Sequence, residues 1–90
     1  MMAEFRGSLI GTLCEIDVGS KITRNVIENA CKIGKNVDIN NSIIMTGTTI
    51  EDGCKISNCI IGPNCHIKMQ ASLNLCQLAM NCVVEKGTAN

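Results

Sequence analysis

Seven cysteines, one histidine and eight acidic residues are the groups in this 90-residue chain that could ligate a metal, attack an electrophile or carry a proton. Their spacing argues against each use. A zinc site gathers thiolates from CxxC-type pairs so that ligands converge on one point. Cys14, Cys31, Cys54, Cys59, Cys65, Cys76 and Cys82 contain no such pair. His66 is the single imidazole, and nothing nearby in sequence would orient it as a general base. No glycine-rich phosphate loop, nucleophile elbow or catalytic carboxylate pair is present. Glu51, Asp52 and Glu85 read as solvated positions.

The cysteines make sense once the aliphatic residues that must position them are laid out. Ile10, Ile27, Ile44, Ile61 and Leu78 recur every 17 residues, and between these anchors the chain steps by six, six and five. The steps place Ile16, Ile33, Ile50, Ile67 and Val84 in a second column, and Ile22, Ile39, Ile56 and Leu73 in a third. A spacing of six matches neither the 3.6 period of a helix nor the alternation of a long strand. It fits a solenoid whose coils bury their apolar edges only by stacking on one another. The expected fold is all-β, a single-stranded parallel β-helix of hexapeptide repeats with three faces and somewhat under five 17-residue coils. Residues 8–90 form this domain, and residues 1–7 read as an N-terminal extension.

Side chains two apart on a strand point to the same side of a sheet. The positions two before each anchor are Ser8, Asn25, Ser42, Cys59 and Cys76 on the first face and Cys14, Cys31, Thr48, Cys65 and Cys82 on the second. On the third they are Ser20, Val37, Cys54, Ala71 and Thr88. All seven cysteines fall in these slots, which makes them interior ladder residues. Stacked strands lie ~4.8 Å apart, so Cys65 and Cys82, or Cys14 and Cys31, are near enough to bridge under oxidation. The residue before each slot must turn a corner. Gly19, Asn36, Gly47, Gly53, Asn64, Asn81 and Gly87 stand there, residue types that accept a left-handed backbone.

Formal net charge is zero and Phe5 is the one aromatic residue. Direct nucleic-acid binding is not expected, because no basic cluster neutralises phosphates and no aromatic platform stacks bases. Although 46% of the chain is hydrophobic, no run is long enough for a transmembrane helix, and Met1 to Leu13 lacks the apolar stretch of a secretory signal. Cysteine-rich and without such a signal, the chain is expected in the cytosol, with no cofactor and no membrane contact.

The outward residue between each pair of inward slots differs by face. The second face shows Glu15, Lys32, Thr49, His66 and Val83, and the third Lys21, Asp38, Lys55, Ser72 and Ala89. The first shows Leu9, Val26, Ile43 and Ile60, then Gln77. These four stacked aliphatics are the candidate partner-binding residues, since a contiguous outward apolar stripe marks a contact surface. Gly11, Met45, Gly62 and Ala79 beside it are small or apolar and let another sheet approach. β-propensity alone also places Val and Ile at outward positions, which is the alternative reading.

The strings SLIGTLCEI, NVIENACKI, NSIIMTGTTI, NCIIGPNCHI and LCQLAMNCVV resemble the C-terminal left-handed β-helix of the gamma subunit of eukaryotic translation initiation factor 2B, over about Ser8 to Thr88. Related stepping occurs in the epsilon subunit and in mannose-1-phosphate guanylyltransferases, and KITRNVIENACKI and NNSIIMTGTTIEDGCKISNCII favour gamma. The resemblance implies left-handed coils and a non-catalytic assembly role in the exchange factor that reloads initiation factor 2 with GTP. The implied partner is another exchange-factor subunit, an epsilon-like one with its own β-helix. The family places a nucleotidyltransferase-like domain before the helix, whereas Met1 stands nine residues before Ile10 here, so sugar-nucleotide chemistry is not expected of these residues. The alternatives are the β-helix of a mannose-1-phosphate guanylyltransferase-like enzyme and a small hexapeptide acyltransferase, in which His66 would be the base. A γ-class carbonic anhydrase, which resembles this fold but uses three histidines, is excluded by the single His66.

Overall fold

The computed structural model describes residues 4–90 and shows three five-stranded parallel sheets wrapped into a left-handed parallel β-helix. The first face carries Leu9–Ile10, Val26–Ile27, Ile43–Ile44, Ile60–Ile61 and Gln77–Leu78. The second carries Glu15–Ile16, Lys32–Ile33, Thr49–Ile50, His66–Ile67 and Val83–Val84. Glu4–Arg6, Lys21–Thr23, Asp38–Asn40, Lys55–Ser57 and Ser72–Asn74 make the third. Every strand pairs with the strand 17 residues away, as in Ile27 with Ile44 and Ile44 with Ile61.

One boundary moves. Glu4–Arg6 pairs with Lys21–Thr23, with Phe5 in register with Ile22, so the β-helix begins inside the expected extension of residues 1–7. The 17-residue period run back from Ile22 lands on Phe5, whose aromatic ring hid it from a count of aliphatic anchors. The remainder of that extension, residues 1–3, lies outside the described residues.

Inside the prism, Ile22, Ile39, Ile44, Ile56, Ile61 and Ile67 are wholly buried. Burial of this kind contributes roughly 1.5–3 kcal/mol for each side chain. Ile10, Ile16, Leu78 and Val84 are only partly buried because a coil covers them on one side alone. The stack is held by backbone hydrogen bonds running both ways. Strand N–H groups donate to the following coil, as in Leu9 to the Asn25 carbonyl at 2.9 Å, and corner N–H groups donate to the preceding one, as in Ala30 to the Thr12 carbonyl at 2.9 Å.

All corners share one conformation. Every residue that precedes an inward slot has positive φ, from Gly7 and Leu13 to Asn81 and Gly87. Most are Gly or Asn, which tolerate that region, but Leu13, Arg24, Ala30, Gln70 and Leu75 hold it too. For such residues the left-handed region costs roughly 1–2 kcal/mol, which the stacking on either side must offset.

The small slot residues are hydrogen-bonded as well as packed. The Asn25 amide donates to the Ile39 carbonyl at 2.7 Å and accepts from Ser42 N–H at 2.8 Å. Thr48 likewise joins the Gly62 carbonyl (2.8 Å) to the Cys65 N–H (3.2 Å). Cysteine serves the same end with its weaker donor: the thiols of Cys31, Cys54 and Cys65 reach the carbonyls of Met45, Lys68 and Ala79 at 3.2, 3.1 and 3.1 Å. All seven cysteines are free. Among the described residues no buried side-chain nitrogen or oxygen lacks a partner.

Three outcomes test this architecture. Asn25→Ala leaves the Ile39 carbonyl and the Ser42 N–H without their side-chain partner and should cost about 2–6 kcal/mol, since each buried group left unpaired costs about 1–3 kcal/mol; chemical denaturation measures it. Gln70→Gly relieves an exposed left-handed corner (φ 59°) and should stabilise by about 0.5–1 kcal/mol, read as a higher melting temperature. Burial pushes the thiols of Cys31, Cys54, Cys59 and Cys65 above their ordinary pKa. The unfolded chain therefore releases these protons first, so stability should fall as pH rises above ~8.5, the ordinary thiol range. In alkylation followed by mass spectrometry at mild pH, half-buried Cys14, Cys76 and Cys82 should label well before those four.

Candidate interaction surface

On a β-helix wall, alternate side chains of each short strand point away from the prism, so the outward column is held on a backbone fixed from both sides. On the first face this column is Leu9, Val26, Ile43 and Ile60, with fractional exposures of 71, 41, 37 and 37%. The four register directly, Leu9 on Val26, Val26 on Ile43 and Ile43 on Ile60, and Gln77 follows as an exposed polar end. Leu9 is the most exposed because the stripe covers it on one side only.

Beside the column, two residues further along each strand, lie Gly11, Glu28, Met45, Gly62 and Ala79. Gly62 is fixed by space: a Cβ there would sit 2.7 Å from the Ala79 backbone carbon and the Leu78 carbonyl oxygen. Two residues before the column lie the left-handed corners Gly7, Arg24, Asn41, Asn58 and Leu75. Sequence reading recovered the small and apolar flanks but passed over Glu28 and Arg24, one acid and one base on opposite sides of Val26. Reading both flanks through all five coils would have found them. Glu28 Oε1 accepts hydrogen bonds from Thr46 N–H (3.0 Å) and Thr46 Oγ1–H (3.1 Å). Arg24 Nε–H donates to Asn41 Oδ1 at 2.9 Å. Each charge is thus positioned by the next coil.

The second face corrects two expectations. His66 is not without an orienting group, because its Nε2 is hydrogen-bonded to Glu51 Oε2. Glu51 in turn is not a solvated corner: it is half-buried, and its other oxygen accepts the Met69 N–H at 3.2 Å. The two lie 15 residues apart and meet because consecutive coils stack, a proximity that local sequence does not display. The pair fixes an imidazole against the wall of the β-helix, and the row on either side of it is Thr49 and Val83. Among the described residues Thr49 is not hydrogen-bonded to His66, and no group of three or more His, Cys, Asp or Glu side chains could hold a metal ion. A shallow, open depression further along this face is lined by Glu15, Lys32 and Thr49. Asp52 caps the Lys35 N–H at 2.8 Å, and exposed Glu85 pairs with Lys68 at 3.2 Å. Among the described residues no helix is long and apolar enough to cross a membrane.

Set against known proteins, the chain has no significant match among curated sequences. A family model does match, over residues 5–89: that of the EIF2B subunit epsilon LbH domain, where LbH denotes the left-handed β-helix. Its subunit designation is epsilon, whereas the strings singled out in the sequence resemble the gamma subunit. The match starts at Phe5, one coil position ahead of Ile10, in agreement with the early first strand. With nearly the whole chain covered and the coil geometry of the match present, this protein belongs to the EIF2B subunit epsilon LbH domain family of hexapeptide-repeat β-helices.

Proposed function

We propose that this chain is a non-catalytic assembly module of the guanine-nucleotide exchange factor for translation initiation factor 2, and that it docks a β-helix of the same kind through its first face. The observation that carries the reading is the exposed column Leu9, Val26, Ile43 and Ile60 on a rigid wall, in a chain of a family named for an exchange-factor subunit. Apolar surface left in water forgoes roughly 25 cal/mol per Å², and a contiguous stripe of it is the usual signature of a contact face.

The repeated strings support a gamma-like module facing an epsilon-like subunit. A second reading, an epsilon-type module, is favoured by the family model itself. Under both, exchange chemistry belongs to another part of the assembly and the His66–Glu51 pair serves to tie two coils together. Seven free thiols suit the reducing cytosol in which such a factor works.

Ile43→Lys/Ile60→Lys is the decisive variant. Both side chains point outward, so circular dichroism and the melting temperature should stay near wild type, while co-purification with subunits of the factor 2B assembly should fall by at least about a hundredfold, as two charges forced into an apolar contact would cause. Retained capture by the folded variant would remove the stripe from the interface. Capture of a GTP-using sugar nucleotidyltransferase instead would move the chain to the guanylyltransferase-like alternative.

A further inference from the structure

We infer that the first face also pairs with the first face of a second copy of this chain, the two β-helices lying side by side with parallel axes and antiparallel strands. The inference rests on the reading of that face as a docking surface and names an occupant for it. A twofold axis parallel to the solenoid and in front of the central column sets every coil against its own copy. Leu9 then meets Leu9, Val26 meets Val26, Ile43 meets Ile43 and Ile60 meets Ile60. Gln77, the one polar residue of the column, also meets itself, and a primary amide can both donate and accept toward its copy.

The flanks are self-complementary under the same operation, because the residue two before each central position faces the residue two after it on the other copy. In the second coil these are Arg24 and Glu28, the single base and single acid of the two flanks. The dimer therefore forms the Arg24–Glu28 contact twice. Both groups are held in place, Glu28 through Oε1 on Thr46 and Arg24 through Nε on Asn41, which leaves Glu28 Oε2 and the terminal guanidinium nitrogens to face each other. In the fifth coil Leu75 faces Ala79. The opposite arrangement, with antiparallel axes, would set Glu28 against Gly62 and Gln77 against Leu9, burying polar groups without partners.

Size sets the strength of this contact. One wall of a molecule measuring 26 × 21 × 19 Å covers roughly 500 Å², below the roughly 800 Å² per partner of a standard stable interface. The dimer is accordingly a weak one, with a Kd of roughly micromolar to millimolar, and its charged contacts weaken with salt.

Sedimentation equilibrium of the full chain from about 10 μM to about 1 mM at low salt tests it. Wild type should dimerise reversibly, and less at high salt. Arg24→Glu carries acids on both flanks and Glu28→Arg bases on both, so each should self-associate at least about tenfold more weakly, while an equimolar mixture of the two should form a heterodimer. The double variant R24E/E28R should self-associate again. Glu28→Gln keeps the acceptor for Thr46 and removes the charge; it should weaken the dimer at an unchanged melting temperature. A monomeric wild type at 1 mM, variants that dimerise like wild type, or a mixture that fails to pair would each overturn the inference. Should the wild type stay monomeric yet bind a factor 2B subunit through Ile43 and Ile60, this inference fails and the assembly reading stands; if neither association occurs, both fail.

Discussion

Coil-to-coil stacking is the constraint on which everything else in this molecule depends. A strand of two or three residues has no stability alone, and each coil here owns only three. What makes them persist is that every strand is hydrogen-bonded to the strand one period away, and the corner N–H groups from Arg24 onward to the coil behind them. The bonds are long-range in sequence and short in space. The period is therefore a structural requirement within the strands, since one extra residue inside a strand would turn its inward side chain to the outer side of the sheet.

The same constraint explains where the chemically capable residues went. Slots two before each anchor face a narrow interior, and they must also satisfy backbone groups that turn inward at the corners. Ser, Thr, Asn and Cys meet both demands, being small and able to bridge neighbouring coils. The cysteines are consequently packed and weakly hydrogen-bonded, with burial raising the pKa of the four most enclosed thiols. An environment that disfavours the thiolate is the opposite of what a nucleophile or metal ligand needs.

Outward positions escape the packing demand, and there the three walls diverge. The second and third carry mixed charge and short polar groups, and the first carries an aliphatic column framed by one acid and one base. Because the wall is rigid, its outward groups are held in position before any encounter, which lowers the ordering cost of association. The outward apolar column thus follows from the chain's character as a solenoid.

Much of this was legible in the residues. The recurrence of Ile27, Ile44 and Ile61, the small slots before them and the glycine or asparagine corners specified the class of fold, the inward thiols and the outward stripe, because each is a consequence of a fixed period. Phe5 was missed because the first coil uses an aromatic anchor. Tolerance of the left-handed corner by Leu13, Arg24, Ala30, Gln70 and Leu75 could not be read from their identities, since stacking imposes it. Tertiary structure alone brought Glu51 to His66, and it alone showed Glu28 and Arg24 held by Thr46 and Asn41 on either side of Val26. Periodicity reports which way a side chain points; which groups touch is decided by how coils 17 residues apart lie against each other, and that is a property of the folded stack.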